Sequence, residues 1–166
     1  QGARPILCSH LGRPGGEADS NLSLEPVGQA LAEMLDVEVV FPEQMTGDSV
    51  EYLTTQLDDD QVMLLQNLRF DPGEKGGDIE FARGLSRLGD LYINDAFGTA
   101  HRKHVSTYWV SQFFDRGNKG AGLLMKKELE NLSGLLDSPA SPFTALMGGA
   151  KVSDKLGVVD KLIDEC

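Results

Sequence analysis

The sequence predicts an α/β fold: a parallel sheet with helices on both faces, forming a three-layer sandwich. Two observations predict it. Short apolar runs alternate with amphipathic stretches of helical spacing, the pattern left by parallel strands joined through crossover helices. The residues richest in polar chemistry fall just after those apolar runs, where open parallel sheets hold their ligands. The 166 residues, 40% hydrophobic and 25% charged, are enough for one sizeable core and a fragment of a second.

The elements follow in order. Pro5 to Cys8 reads as a buried strand. Leu24 to Leu35 reads as a helix, with Val27, Leu31, Met34 and Leu35 on one face. Val37 to Phe41 is the next strand, Asp48 to Leu57 a helix, and Val62 to Leu65 a strand. Ile79 to Leu88 is again helical, and Leu91 to Asn94 extended. Lys103 to Gly122 is irregular, with only a weak helical pattern early in it. Met125 to Leu136 reads as a helix whose apolar face is Leu129, Leu132, Leu135 and Leu136. Ser138 to Pro142 breaks it and is the expected domain hinge. Phe143 to Met147 then reads as a strand, and Lys151 to Ile163 as a helix.

A net charge of -11 argues against nucleic acid and anionic membrane as partners, since no basic stripe dominates the chain. It also makes any small group of arginines more informative. No apolar run is long enough to span a bilayer and no signal peptide is visible, so the expected location is the cytoplasm. Cys8 and Cys166 offer neither a disulfide framework nor metal spacing, and read as reduced thiols. Gln1 in place of Met, and a stop at Cys166 just after a helical pattern, read as cuts through a longer protein.

Three strands each deliver an arginine shortly past their C-terminal end. Ser9-His10-Leu11-Gly12-Arg13-Pro14 follows the first, Gln66-Asn67-Leu68-Arg69-Phe70 the third, and Asp95 to Arg102, with His101, the fourth. A guanidinium is a planar fork of donors suited to phosphate or carboxylate oxygens. Three at equivalent topological positions point to a pocket for a small, highly charged anion. The alternative, each arginine pairing with a surface acid, explains any one of them but not their shared placement. A second constellation is Gly148-Gly149-Ala150-Lys151-Val152-Ser153-Asp154-Lys155. There a glycine turn opens a helix whose free N–H groups favour phosphate, and Lys151 and Lys155 share one face. Without Walker spacing it suggests phosphate and nothing narrower. His104 reads as a surface or packing residue, and Trp109, Phe113 and Phe114 as packing. Asp58-Asp59-Asp60 reads as a solvated turn.

SHLGRP (Ser9 to Pro14), LLQNLRF (Leu64 to Phe70), NDAFGTAHR (Asn94 to Arg102) and GGAKVSDK (Gly148 to Lys155) together resemble the phosphoglycerate kinases in order and spacing. AGLLMKKEL (Ala121 to Leu129) is similar to that family's lead into its interdomain helix. The resemblance implies a Rossmann-like, incomplete two-domain kinase. Residues 1–122 would be the phosphoglycerate-binding domain lacking its first strand, 123–142 the interdomain helix and hinge, and 143–166 the start of the nucleotide domain. It implies reversible phosphoryl transfer between 1,3-bisphosphoglycerate and ADP, giving 3-phosphoglycerate and ATP, with Mg2+, by a monomer. His10, Leu11, Gly12, Arg13, Arg69, His101 and Arg102 would contact the phosphoglycerate. Gly149, Ala150, Lys151 and Lys155 would hold the nucleotide, with Lys151 stabilising the phosphoryl group in flight. The family's opening RVDFNVP-like strand is absent, as are its later nucleotide residues, so these residues alone are expected to be inactive. The other possibility is a non-catalytic half that binds triose phosphates or similar anions. Gln66 stands where the family usually has Glu, and Trp109 where glycine is common.

Overall fold

The computed structural model describes residues 2–137 and positions 142, 144, 146, 157 and 160. The chain divides into two units, Gln1–Ala121 and Gly122–Cys166.

In the first unit the run Val62-Met63-Leu64 builds β3 (Gln61–Leu64), whose apolar residues are buried. It is the central strand of three, as a near-continuous apolar run requires. β1 (Ile6–Leu7) and β2 (Glu38–Val40) pair with it on either side, both parallel, Ile6 opposite Met63 and Val39 opposite Val62. A second parallel sheet joins β4 (Tyr92–Asn94) to β5 (Lys119–Ala121), with Asn94 opposite Ala121. The expected parallel α/β architecture is present, but as two sheets. β1 and β4 face each other across a cavity of about 510 Å³ lined by Leu7, Cys8, Tyr92, Ile93, Val110 and Phe114 among others.

Met63, Leu65, Leu68, Val50 and Val105 are the centre of the core, with Phe81, Ala82 and Leu85 packed around them. Each of the larger side chains contributes about 1.5–3 kcal/mol by leaving water. α2 (Asp48–Gln56) supplies Val50, and α4 (Ile79–Ser86) supplies Phe81, Ala82 and Leu85. Asp78 caps α4 by accepting a 2.8 Å hydrogen bond from the Phe81 N–H.

α1 (Glu25–Leu35) corrects one expectation. Its contact stripe is Leu24, Gly28, Leu31 and Ala32, while Val27, Met34 and Leu35 are exposed, Met34 by 82%. The reason is Gly28. A Cβ there would lie 3.4 Å from Leu64 and 3.6 Å from Val39, so the bare backbone seats the helix on the sheet.

Three further elements depart from the sequence reading. α3 (Gly73–Gly76) is one turn of Gly-Glu-Lys-Gly, too short for periodicity to mark. β5 is Lys-Gly-Ala, with no apolar signature of a strand. The weak helical pattern after Lys103 becomes a π-helix, Val105–Trp109, followed by a 3-10 turn, Val110–Phe113. Trp109 and Phe114 pack against the core as expected, whereas Phe113 is exposed with the Arg83 guanidinium 5.9 Å from its ring. Asp58, Asp59 and Asp60 are exposed at a turn.

The second unit holds α5 (Leu123–Asp137), which starts two residues earlier than expected. Leu129 and Leu132 are half-exposed. The expected hinge at 138–142, strand at 143–147 and helix at 151–163 lie outside the described residues, apart from isolated positions. No described helix is long and apolar enough to cross a membrane.

Candidate anion-binding site

The site begins with Asn67, wholly buried just past β3. Its Nδ2 donates to the carbonyls of Leu11 at 2.8 Å and Leu22 at 2.9 Å. Its Oδ1 accepts from the N–H groups of Leu11 at 3.3 Å and Arg69 at 3.1 Å. One amide thus ties the loop after β1 to the 3-10 turn Leu68–Phe70 that carries Arg69. The Leu68 N–H adds a 3.1 Å bond to the Ser9 carbonyl. Gln66 braces the other flank. Its Oε1 accepts from the N–H groups of Leu24 at 2.9 Å and Asn67 at 2.7 Å, and its Nε2 donates to Ser23 Oγ at 3.0 Å.

The loop can run this way because Gly12 sits at φ 63. The positive φ favours glycine, and a Cβ there would also come within 2.6 Å of Leu22 Cδ2, which would have to move aside. Arg69 Nη1 donates to the Gly12 carbonyl at 2.7 Å, fixing its guanidinium over the loop. Among the described residues, Arg69 Nε is the buried side-chain nitrogen left without a partner.

The strand-end residues converge electrostatically. Arg69 is influenced by the charges of Arg102 and Arg13, opposed by Glu74. Burial, then Arg69, His104, Arg102 and Lys75, pull His10 below its ordinary value. Burial, then Arg102, Arg69, Lys75 and His101, do the same to His104. The charges of Arg13, Arg69, His101, Arg102, His104 and Lys75 therefore act on one another and on His10. His104 is half-buried, in keeping with a packing residue, and also feels the charges of Arg102 and Arg69. Leu11 and Arg13 are exposed on the loop. Gly149, Ala150, Lys151 and Lys155 lie outside the described residues. Among the described residues no group of acids, histidines and cysteines could hold a metal ion.

Sequence reasoning missed Asn67 and Glu74. Asn67 was in view inside LLQNLRF, yet nothing in the sequence marks it as buried. Glu74 is 2% exposed, and its polar, glycine-rich neighbours Asp71 to Gly77 give no sign of that burial.

His10, Arg13, Arg69 and Arg102 thus lie past the carboxyl ends of parallel strands, the edge at which open α/β sheets hold ligands. The phosphoglycerate kinase family model matches residues 1–166. This chain belongs to the phosphoglycerate kinase family. A phosphoglycerate kinase of Anaeromyxobacter dehalogenans strain 2CP-C is 49% identical over 163 residues, covering 97% of this chain and 41% of the relative. One from Trichodesmium erythraeum is 45% identical over 166 residues, again 41% of its length. The structure of phosphoglycerate kinase from Coxiella burnetii superposes with a TM-score of 0.81 at 34% identity, over 99% of this chain and 40% of that one. The chain thus spans about two-fifths of the phosphoglycerate kinases it matches, and its α/β fold is theirs.

Proposed function

We propose that this chain is the phosphoglycerate-gripping part of a phosphoglycerate kinase, acting in glycolysis on 3-phosphoglycerate and 1,3-bisphosphoglycerate. The observation that carries this is the field shared by His10, Arg13, Arg69, His101 and Arg102 in a chain of net charge -11. Arg69 holds the loop through one Nη1 bond to the Gly12 carbonyl, and the rest of its guanidinium fork would serve an anion's oxygens. Leu11 and Gly12 line the approach.

The chemistry asks for little else from these residues. Phosphoryl transfer is dominated by positioning and charge stabilisation, and the arginines supply both. Burial and then the neighbouring cations hold His10 below its ordinary value, so an arriving dianion would favour its protonated form. Gly149, Ala150, Lys151 and Lys155 would meet ADP or ATP, with Lys151 against the transferring group; Mg2+ would arrive with the nucleotide and neutralise its phosphates. On this reading residues 1–122 are the substrate domain, 123–142 the connecting helix and hinge, and 143–166 the start of the nucleotide domain. The cavity between β1 and β4, open along two strand edges, supports a sheet short of one strand. The protein would be a cytoplasmic monomer.

The test is 3-phosphoglycerate binding to the full-length protein. Arg69→Ala and Arg102→Ala should each cost about 1.5–3 kcal/mol, the range for hydrogen bonds to charged groups. Unchanged affinity in both would overturn the site. Residues 1–166 alone should bind 3-phosphoglycerate weakly without turnover, so ATP formation by them from 1,3-bisphosphoglycerate and ADP would overturn the division of labour.

A further inference from the structure

We propose that Glu74 is a positioning residue for the phosphoglycerate site, a buried acid that fastens the histidine-bearing turn to the arginine-bearing one. The inference rests on the site proposed above. Glu74 lies in α3, four residues past the turn that carries Arg69, and is buried. Its Oε2 accepts from the Ser106 N–H at 3.0 Å and its Oε1 from the Ser106 hydroxyl at 2.5 Å. Ser106 belongs to the π-helix that begins directly after His104. Both donors of one residue therefore end on one carboxylate, a bidentate clasp between two segments of the site.

The clasp continues toward the substrate side. The Ser106 carbonyl accepts from Tyr92 Oη at 2.7 Å, and burial pushes that phenol up to about 12, so it stays a donor. Next along the chain, Thr107 Oγ1 donates to the Arg102 carbonyl at 2.8 Å. Glu74 thus holds Ser106, and the residue beside Ser106 holds the backbone of Arg102. Its charge also opposes Arg102 and Arg13 at Arg69.

A buried carboxylate needs such partners. Burial raises Glu74, while the two Ser106 hydrogen bonds and Arg69 favour its ionised form. Alanine at this position would leave the Ser106 donors unsatisfied and uncover like charges around Arg69. The turn bearing His101, Arg102 and His104 would then be free to drift from Arg69, and a shift of about 1 Å at a positioned anion can cost about a hundredfold.

The experiment is steady-state kinetics and 3-phosphoglycerate titration on the full-length protein carrying Glu74→Ala, Glu74→Gln or Ser106→Ala. For Glu74→Ala the KM for 3-phosphoglycerate should rise about tenfold or more, with the KM for ATP held within about twofold. Glu74→Gln keeps the shape and one acceptor and should recover part of that loss. Ser106→Ala removes the hydroxyl arm alone and should raise the KM for 3-phosphoglycerate by about threefold or more, which decides the matter should Glu74→Ala fail to fold. Equal rises in both KM values, or an unchanged KM for 3-phosphoglycerate in variants that fold, would overturn the positioning role. Failure of the unmutated protein to bind 3-phosphoglycerate would sink the site itself, and this inference with it.

Discussion

Replacing Asn67 by alanine would remove four hydrogen bonds from a fully buried position, two donated by Nδ2 and two accepted by Oδ1. Each is worth about 1 kcal/mol net, and the backbone groups of Leu11, Leu22 and Arg69 left behind would be only partly rehydrated. The loop is open enough for water to reach some of them, which brings the expected loss to about 2–4 kcal/mol. Urea unfolding followed by circular dichroism reads this as a lower midpoint at unchanged slope. The same variant should weaken 3-phosphoglycerate binding, because the loop carrying His10 and Arg13 is tied down by this amide. A loss below about 0.5 kcal/mol would refute the reasoning, since it is the scatter of ordinary surface substitutions. Asn67→Asp is a stringent companion. It keeps the acceptors, forfeits both donations and buries a charge, so it too should destabilise.

Gly77 sits at φ 76 and a Cβ there would lie 2.4 Å from Trp109 Nε1. Gly77→Ala should therefore cost about 1–3 kcal/mol and shift the emission of the single tryptophan, and an unperturbed spectrum would contradict that packing. Gln66→Glu keeps the acceptor for Leu24 and Asn67 and places a negative charge at the start of α1, while Ser23 Oγ can rotate to donate. Its stability should stay within about 1 kcal/mol of the parent by thermal melting. His10 and His104 are held below their ordinary 6.5, so the unfolded chain binds more protons as pH falls. Stability should decline as pH drops below about 6.5 and level off beneath the folded values. Saturating 3-phosphoglycerate should raise both histidines in an NMR titration, and no rise would count against their sharing its field.

The sequence pattern made most of the first unit legible because its strands and helices obey simple periodicities. Val62 to Leu65 reads as a buried strand, and the apolar period of Ile79 to Leu88 marks α4. Where reading failed, a glycine or a polar residue carried the structure. Gly28 moved the buried stripe of α1 away from Val27 and Met34, because absence of a side chain leaves no mark on a hydrophobic pattern. β5 is a strand through its pairing with β4, a long-range fact that Lys119-Gly120-Ala121 does not encode locally. The arginines of the candidate site stand out in the sequence because three strand ends repeat one theme. Glu74 and Asn67 were not, since both act through partners that only folding brings near.

The gap between β1 and β4 bears on how such a sheet assembles. Parallel neighbours cannot be joined by a two-residue turn; each pairing must wait for a crossover of a dozen or more residues. In the chain, α1, β2 and α2 all lie between β1 and its partner β3. A strand entering between β1 and β4 would join the last pair of edges, drawing Arg13 and Arg102 into one continuous rim. Loop closure must precede any reward from such contacts, so this seam belongs to the slow part of folding. Until it closes, two parallel edges with exposed Leu7 and Ile93 remain open to pairing with other chains, a hazard that chaperones and low concentration would keep in check.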